Sequence, residues 1–100
     1  MGQAESKIEA PVKKWARQNG MLVIKLVSWQ TESGWPDDLF LFGGAVAFIE
    51  FKAPGKVPSP IQAYRIQQLT ERGYRVGVID NVDNGKRFLR EAFSSVVFIN

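Results

Sequence analysis

Gly34-Trp35-Pro36-Asp37-Asp38-Leu39-Phe40-Leu41-Phe42-Gly43-Gly44-Ala45-Val46-Ala47-Phe48-Ile49-Glu50-Phe51-Lys52 is the stretch on which the reading of this chain turns. Two short apolar runs joined by two glycines spell a β-hairpin with a tight primed turn. With Gly43 and Gly44 as the turn residues, Phe42 pairs with Ala45, and counting outward sets Asp37 opposite Glu50. Cross-strand partners share a face, their Cβ atoms roughly 4.5–5.5 Å apart. Lys52, two residues beyond Glu50, joins that face, and Asp38 points to the other.

The hairpin alone therefore collects two carboxylates and an ammonium at one end of a sheet. Carboxylates this close repel unless one is protonated or a cation bridges them. A hard cation with oxygen ligands, Mg²⁺ or Mn²⁺, is the natural bridge. A lysine beside it can orient or deprotonate water, or stabilise a developing oxyanion. The plain alternative is a structural salt bridge at a strand end. It has to place two acids and a base on one face of strands that are otherwise almost wholly apolar, where unpaired charge is costly. The balance falls on a functional site.

These residues resemble the PD-(D/E)XK nuclease superfamily, whose motif is Pro-Asp, a spacer, then Glu-X-Lys. The closer likeness is to its virus-type replication-repair nuclease (VRR-NUC) family. That family places Gly-X-Pro-Asp before the second strand, Glu-X-Lys on the third, and Ser-X-X-Gln at the next helix. This chain has Gly34-Trp35-Pro36-Asp37, Glu50-Phe51-Lys52 and Ser59-Pro60-Ile61-Gln62, in the same order.

Composition narrows the chemistry. One hundred residues make one domain, 1–100, with a single core. With 45% hydrophobic and 23% charged residues the chain reads as an ordinary globular protein, and no apolar run approaches a membrane span. It contains neither cysteine nor histidine, which excludes disulfide frameworks, thiolate zinc sites and imidazole-based triads. Carboxylates, lysine, hydroxyls and hard metals remain. A net charge of +3 mildly favours a polyanionic partner.

Working outward, Glu5–Asn19 reads as a helix stopped by Gly20, with Ile8, Val12, Trp15 and Ala16 as its apolar stripe. Glu5 extends the stripe towards the sheet, Glu9 sits nearer its edge, and Lys7, Lys13, Lys14 and Arg17 form a solvated face. Pro11 interrupts the pattern, and Ser6-Lys7-Ile8-Glu9 offers a capping box that would start the helix after Glu5. The first strand is Met21–Trp29. Its one charge, Lys25, is either an edge gatekeeper or a phosphate contact. Trp29 and Trp35 flank a polar loop and can pack, stack on bases or meet a second subunit. The hairpin strands, apolar on both faces, are expected to be central and covered on both sides.

Beyond the hairpin, Ala53–Pro58 is a loop with Lys56 at its tip, placed to meet a phosphate. Ser59 caps a helix reaching Arg72, with Pro60 in its first turn and Gln62 facing inward with Ile66 and Leu69. A fourth strand, Arg75–Ile79, and a third helix from Val82 or Asn84 to Phe93 follow. Val96-Val97-Phe98-Ile99 forms a last strand or an apolar tail for a partner subunit.

The order is α/β: an αβββαβ(α) sandwich around a mixed central sheet, as in the PD-(D/E)XK fold. The resemblance implies a Mg²⁺- or Mn²⁺-dependent deoxyribonuclease. Asp37, Glu50, the Phe51 carbonyl and Glu5 would hold the metal, Lys52 would position or activate water, and Gln62 would order Lys52 or the phosphate. Lys25, Lys56 and Arg65 are the expected nucleic-acid contacts. A domain of this length resembles the phage or prophage type, which implies a homodimer acting on Holliday junctions or other branched DNA in the cytoplasm of a bacterial host, without membrane attachment. The alternatives are a DNA-binding module that keeps the fold without catalysis, an exonuclease or flap nuclease, and a protein whose acids bind a structural ion.

Overall fold

In the computed structural model, residues 2–27 and 32–95 are described. The elements run α1 (Gln3–Gln18), β1 (Leu22–Lys25), β2 (Asp38–Phe42), β3 (Ala45–Phe51), α2 (Pro60–Glu71), β4 (Arg75–Ile79) and α3 (Val82–Ala92). The four strands form one sheet in the order β1-β2-β3-β4. β1, β2 and β3 pair antiparallel, and β4 joins β3 in parallel through α2, so the sheet is mixed as expected. Val96–Ile99 and Trp29 lie outside the described residues, and the roles expected of them go with them.

The hairpin turns at Gly43 and Gly44, both at positive φ (57° and 82°), the backbone a primed turn demands. Phe42 pairs with Ala45 and Asp38 with Ile49, the expected register. On one sheet face Phe40, Ala47, Ile49 and Phe51 are fully buried. They lie under α1, through Ile8, Val12 and Ala16, and under α3, through Leu89 and Ala92.

The opposite face is covered less than the sequence suggests. α2 packs against β4, and none of its residues is fully buried. Leu39, Leu41, Val46 and Phe48 are therefore half-buried, while Leu22 and Ile24 on the edge strand remain 59% and 39% exposed. Apolar strand residues need a cover, but their pattern does not say how far one helix reaches.

α1 also differs from expectation. It starts at Gln3, because the Glu5 carboxylate accepts a hydrogen bond from the Gly2 N–H (2.7 Å) and so closes the helix two residues before the predicted start. Ser6 lies inside the first turn. Pro11 is accommodated within the helix on its exposed side, where an unpaired carbonyl costs least. α2 begins as predicted, with a reciprocal capping box. The Ser59 Oγ accepts from the Gln62 N–H (3.4 Å), and the Gln62 Oε1 accepts from the Ser59 N–H (2.9 Å).

Candidate active site

Asp37 is the residue before β2, and the sheet grips it from both sides. Its carbonyl accepts the Leu26 N–H at 2.8 Å, and its Oδ2 accepts the Phe51 N–H at 2.7 Å. The second bond spans the hairpin and fixes Asp37 beside the Glu50-Phe51-Lys52 segment. Gly34, three residues earlier, has φ 84°, and a Cβ there would come within 2.7 Å of Ile61, so a glycine lets this approach lie flat on α2. Arg65 completes the clamp: its guanidinium lies 4.4 Å from the centre of the Trp35 ring, and its Nε donates to the Ser33 carbonyl (3.0 Å).

Glu50 is almost wholly buried, and the Lys52 Nζ lies 3.4 Å from its Oε2. Glu5, Lys25, Asp37, Glu50, Lys52 and Gln62 line one cavity of about 350 Å³, whose apolar margin is Leu26 and Val27. The expected set, carried by β1, the two ends of the β2–β3 hairpin and two helices, is thus brought together. Lys56 is exposed on its loop and does not line this cavity, and Arg65 is committed to Trp35 and Ser33. Gln62 reaches the cavity with its oxygen engaged by the Ser59 amide, which leaves its NH₂ as the group available to a phosphate or water.

Electrostatics marks the same residues. Burial, then the charge of Asp37, pushes the Glu50 carboxyl up to about 7, against the pull of Lys52. Burial also raises Asp37, although the Phe51 N–H and Lys25 oppose it. Among the described residues Glu50 Oε1 is buried without a hydrogen-bond partner. A buried carboxylate oxygen of this kind needs a partner, and a hard cation held by Asp37 and Glu50 would supply one. The donor set, all oxygen with no thiolate or imidazole, suits Mg²⁺ or Mn²⁺. Among the described residues no three carboxylates cluster closely enough to hold an ion by themselves. Asp37 and Glu50 are the pair in place, Glu5 lines the cavity with its Oε2 tied to the Gly2 amide, and the Phe51 backbone stands at the same strand end.

Glu9 takes another course. It is 7% exposed, accepts a hydrogen bond from Lys25 Nζ (2.8 Å) and lies 3.6 Å from Lys13 Nζ. Lys13, expected in a solvated face, turns inward to within 3.1 Å of the fully buried Asp38. The apolar stripe of α1 could not show this, because Lys13 reaches its partner with a long stem from the stripe's margin. The available signal was Asp38 itself, an acid on the sheet face that packs under α1.

No family model matches the chain. A protein of Acyrthosiphon pisum secondary endosymbiont phage 1, bearing the name "Putative nuclease p44", is 36% identical over 80 residues, covering 79% of this chain and 85% of that protein. A solved structure described as "VRR_NUC domain" superposes with a TM-score of 0.79 at 27% identity, over 89% of this chain and 97% of its own. A second, "VRR_NUC domain protein", has a TM-score of 0.77 at 19% identity, over 94% and 91%; at that identity the likeness is one of fold.

Proposed function

Since the chain belongs to the VRR-NUC nuclease family, we propose that it is a divalent-metal-dependent DNA endonuclease that hydrolyses phosphodiester bonds at the Asp37–Glu50–Lys52 cavity. The observation that carries this reading is the pairing of Asp37 with Glu50 in one cavity with Lys52 and Gln62, with a buried Glu50 oxygen left without a partner among the described residues. A cation bound there would polarise the phosphate and offset charge developing on its oxygens.

The chain's own groups supply the rest. Asp37 and Glu50 would hold the cation, and the Phe51 N–H bond fixes the Asp37 carboxylate beside the strand that carries Glu50. Lys52, 3.4 Å from Glu50, orients the attacking water and stabilises the phosphate oxygens as the P–O bond to the leaving strand breaks. The Gln62 NH₂ restrains the phosphate, and Lys25 at the cavity margin draws the DNA backbone in. Lys56 and Arg65, outside the cavity, meet DNA only at a distance from the scissile bond. A pure binding module would gain nothing from carboxylates facing phosphate. Incubation of plasmid DNA with Mn²⁺ tests the activity: nicking that a chelator abolishes is expected, and binding without cleavage would leave the non-catalytic module.

The finer proposal is a homodimer acting on branched DNA such as a four-way junction, inside a bacterial host cell. Symmetric cutting of two strands needs two sites, and each chain carries one. A two-fold dimer would present them with opposite polarity. Of the contacts expected from sequence, Trp35 is taken up under Arg65. The exposed Leu22 and Ile24 on the open sheet face offer an apolar surface instead. Light scattering at micromolar protein should give twice the monomer mass; a monomer that trims ends would favour an exonuclease.

A further inference from the structure

Five charged side chains form an alternating series that starts and ends on neighbouring residues. Asp38 Oδ1 is 3.1 Å from Lys13 Nζ, and Lys13 Nζ is 3.6 Å from Glu9 Oε2. Glu9 Oε2 is 2.8 Å from Lys25 Nζ, and Lys25 Nζ is 4.0 Å from Asp37 Oδ1. Asp37 and Asp38 are consecutive and point to opposite sheet faces, so the series wraps the end of β2 through α1 and β1. Asp38 and Glu9 are buried, and Lys13 is partly so. Lys25, with 44% of its side chain exposed, and Asp37 are the members that line the cavity.

Lys25 therefore stands between two carboxylates and is bonded to only one. The Glu9 contact is a hydrogen-bonded ion pair, the kind that is short and strong. The Asp37 contact is longer and has no hydrogen bond. Asp38 is closed to Lys25 as a direct partner, because Lys13 already stands against it. An ammonium resting on Asp37 would hold the charge that a cation must bring, and would have to be displaced before the cation could bind.

We propose that Glu9 is a positioning residue that holds the Lys25 ammonium off Asp37, keeping the metal-binding carboxylate free and the ammonium at the cavity margin where a phosphate enters. This role rests on the reading of Asp37 as a metal ligand. It differs from a ligand role for Glu9, since Glu9 acts on the site only through Lys25.

The test is a double-mutant cycle read by Mn²⁺ calorimetry on the full chain. Glu9→Gln should weaken Mn²⁺ binding roughly 10-fold, the lower end of what outer partners of metal ligands contribute. Lys25→Met should change it by less than about 3-fold in the parent protein, yet recover most of the loss in the Glu9→Gln background, a coupling that independent sites do not show. Lys25→Met acting by the same factor in both backgrounds, or unchanged Mn²⁺ affinity in Glu9→Gln, would overturn the proposal. A second readout needs no metal. In a crystal structure of metal-free Glu9→Gln, Lys25 Nζ should close from 4.0 Å to hydrogen-bond distance of Asp37; Lys25 remaining in place would sink the idea. A parent protein that binds no Mn²⁺ would overturn the metal-site reading, while this structural readout would still decide whether Glu9 restrains Lys25.

Discussion

Asp37 and Asp38 are the same residue type, one peptide bond apart, and the fold gives them opposite tasks. Asp37 faces the open side of the sheet, is partly exposed, and lines a cavity with Glu50 and Lys52. Asp38 faces the packed side, is fully buried beneath α1, and among the described residues has no hydrogen-bond partner for either oxygen, although Lys13 Nζ approaches to 3.1 Å. Burial, then the proximity of Glu9, pushes Asp38 up to about 7 against the opposing Lys13. Burial opposes the charge on Glu9 too, but its neighbours Asp38, Lys25 and Lys13 outweigh it and hold Glu9 below its ordinary value. The same pleat that separates the two faces thus separates two settings: a carboxylate that solvent can reach on one side, a carboxyl held in a charge network on the other.

Mutations should divide along that line. The largest effect is on catalysis. Asp37→Asn and Glu50→Gln should each lower DNA cleavage by about 10²–10³-fold or more, the scale of losing a main electrostatic element of an active site, with the fold retained by circular dichroism. Cleavage persisting in either folded variant would remove that residue from the site. Next comes the packed side. Lys13→Met strips Asp38 of its compensating charge, but Asp38 can remain protonated, so the expected loss is about 1–3 kcal/mol of stability in urea denaturation. Cleavage per folded molecule should stay near the parent's. A Lys13→Met protein that is fully stable yet inactive would erase the division between the two faces.

A smaller effect should appear in the pH dependence of the metal-free protein. Asp37, Asp38 and Glu50 all have carboxyls raised by folding, the last two to about 7. Between their unfolded values near 4 and the folded values, the native state binds more protons than the unfolded chain, so stability falls as pH rises through that window. The melting temperature should drop by a few degrees from pH 5 to pH 8. Saturating Mn²⁺ should recover the share due to Asp37 and Glu50, since a ligand of the folded state stabilises it, and leave the Asp38 share in place. A melting temperature that rises over this interval, or that Mn²⁺ does not change, would contradict the assignment. The smallest effect belongs to Trp35→Leu. Losing the stacking of Arg65 should cost about 0.5–1 kcal/mol, and a much larger loss in denaturation would mean that the ring supports more than the approach to Asp37.

Much of the site was legible because its geometry is local. A two-residue glycine turn fixes the register, and the register alone sets Asp37 beside Glu50 and Lys52. Ser59 was legible as a cap for the same reason, since one turn of helix brings its side chain to the Gln62 N–H; the return bond from Gln62 to the Ser59 amide was not read. Lys13 was not: its partner lies on a strand 25 residues away, and nothing in the periodicity of α1 distinguishes an inward lysine from a solvated one. The start of α1 was misplaced because Glu5 serves the Gly2 amide, a bond that competes with the Ser6 capping box and wins by bringing the helix two residues earlier.

By itself the sequence determined the element order, the hairpin register and the three residues on one face of its strands, because each follows from turn chemistry and the two-residue period of a strand. Tertiary structure decided how far α2 covers the sheet, that Arg65 closes over Trp35, and which lysine answers each acid on the packed side. Those outcomes depend on where helices of given length come to rest on the sheet and on how far long side chains reach across it, and neither distance is carried by residue spacing along the chain.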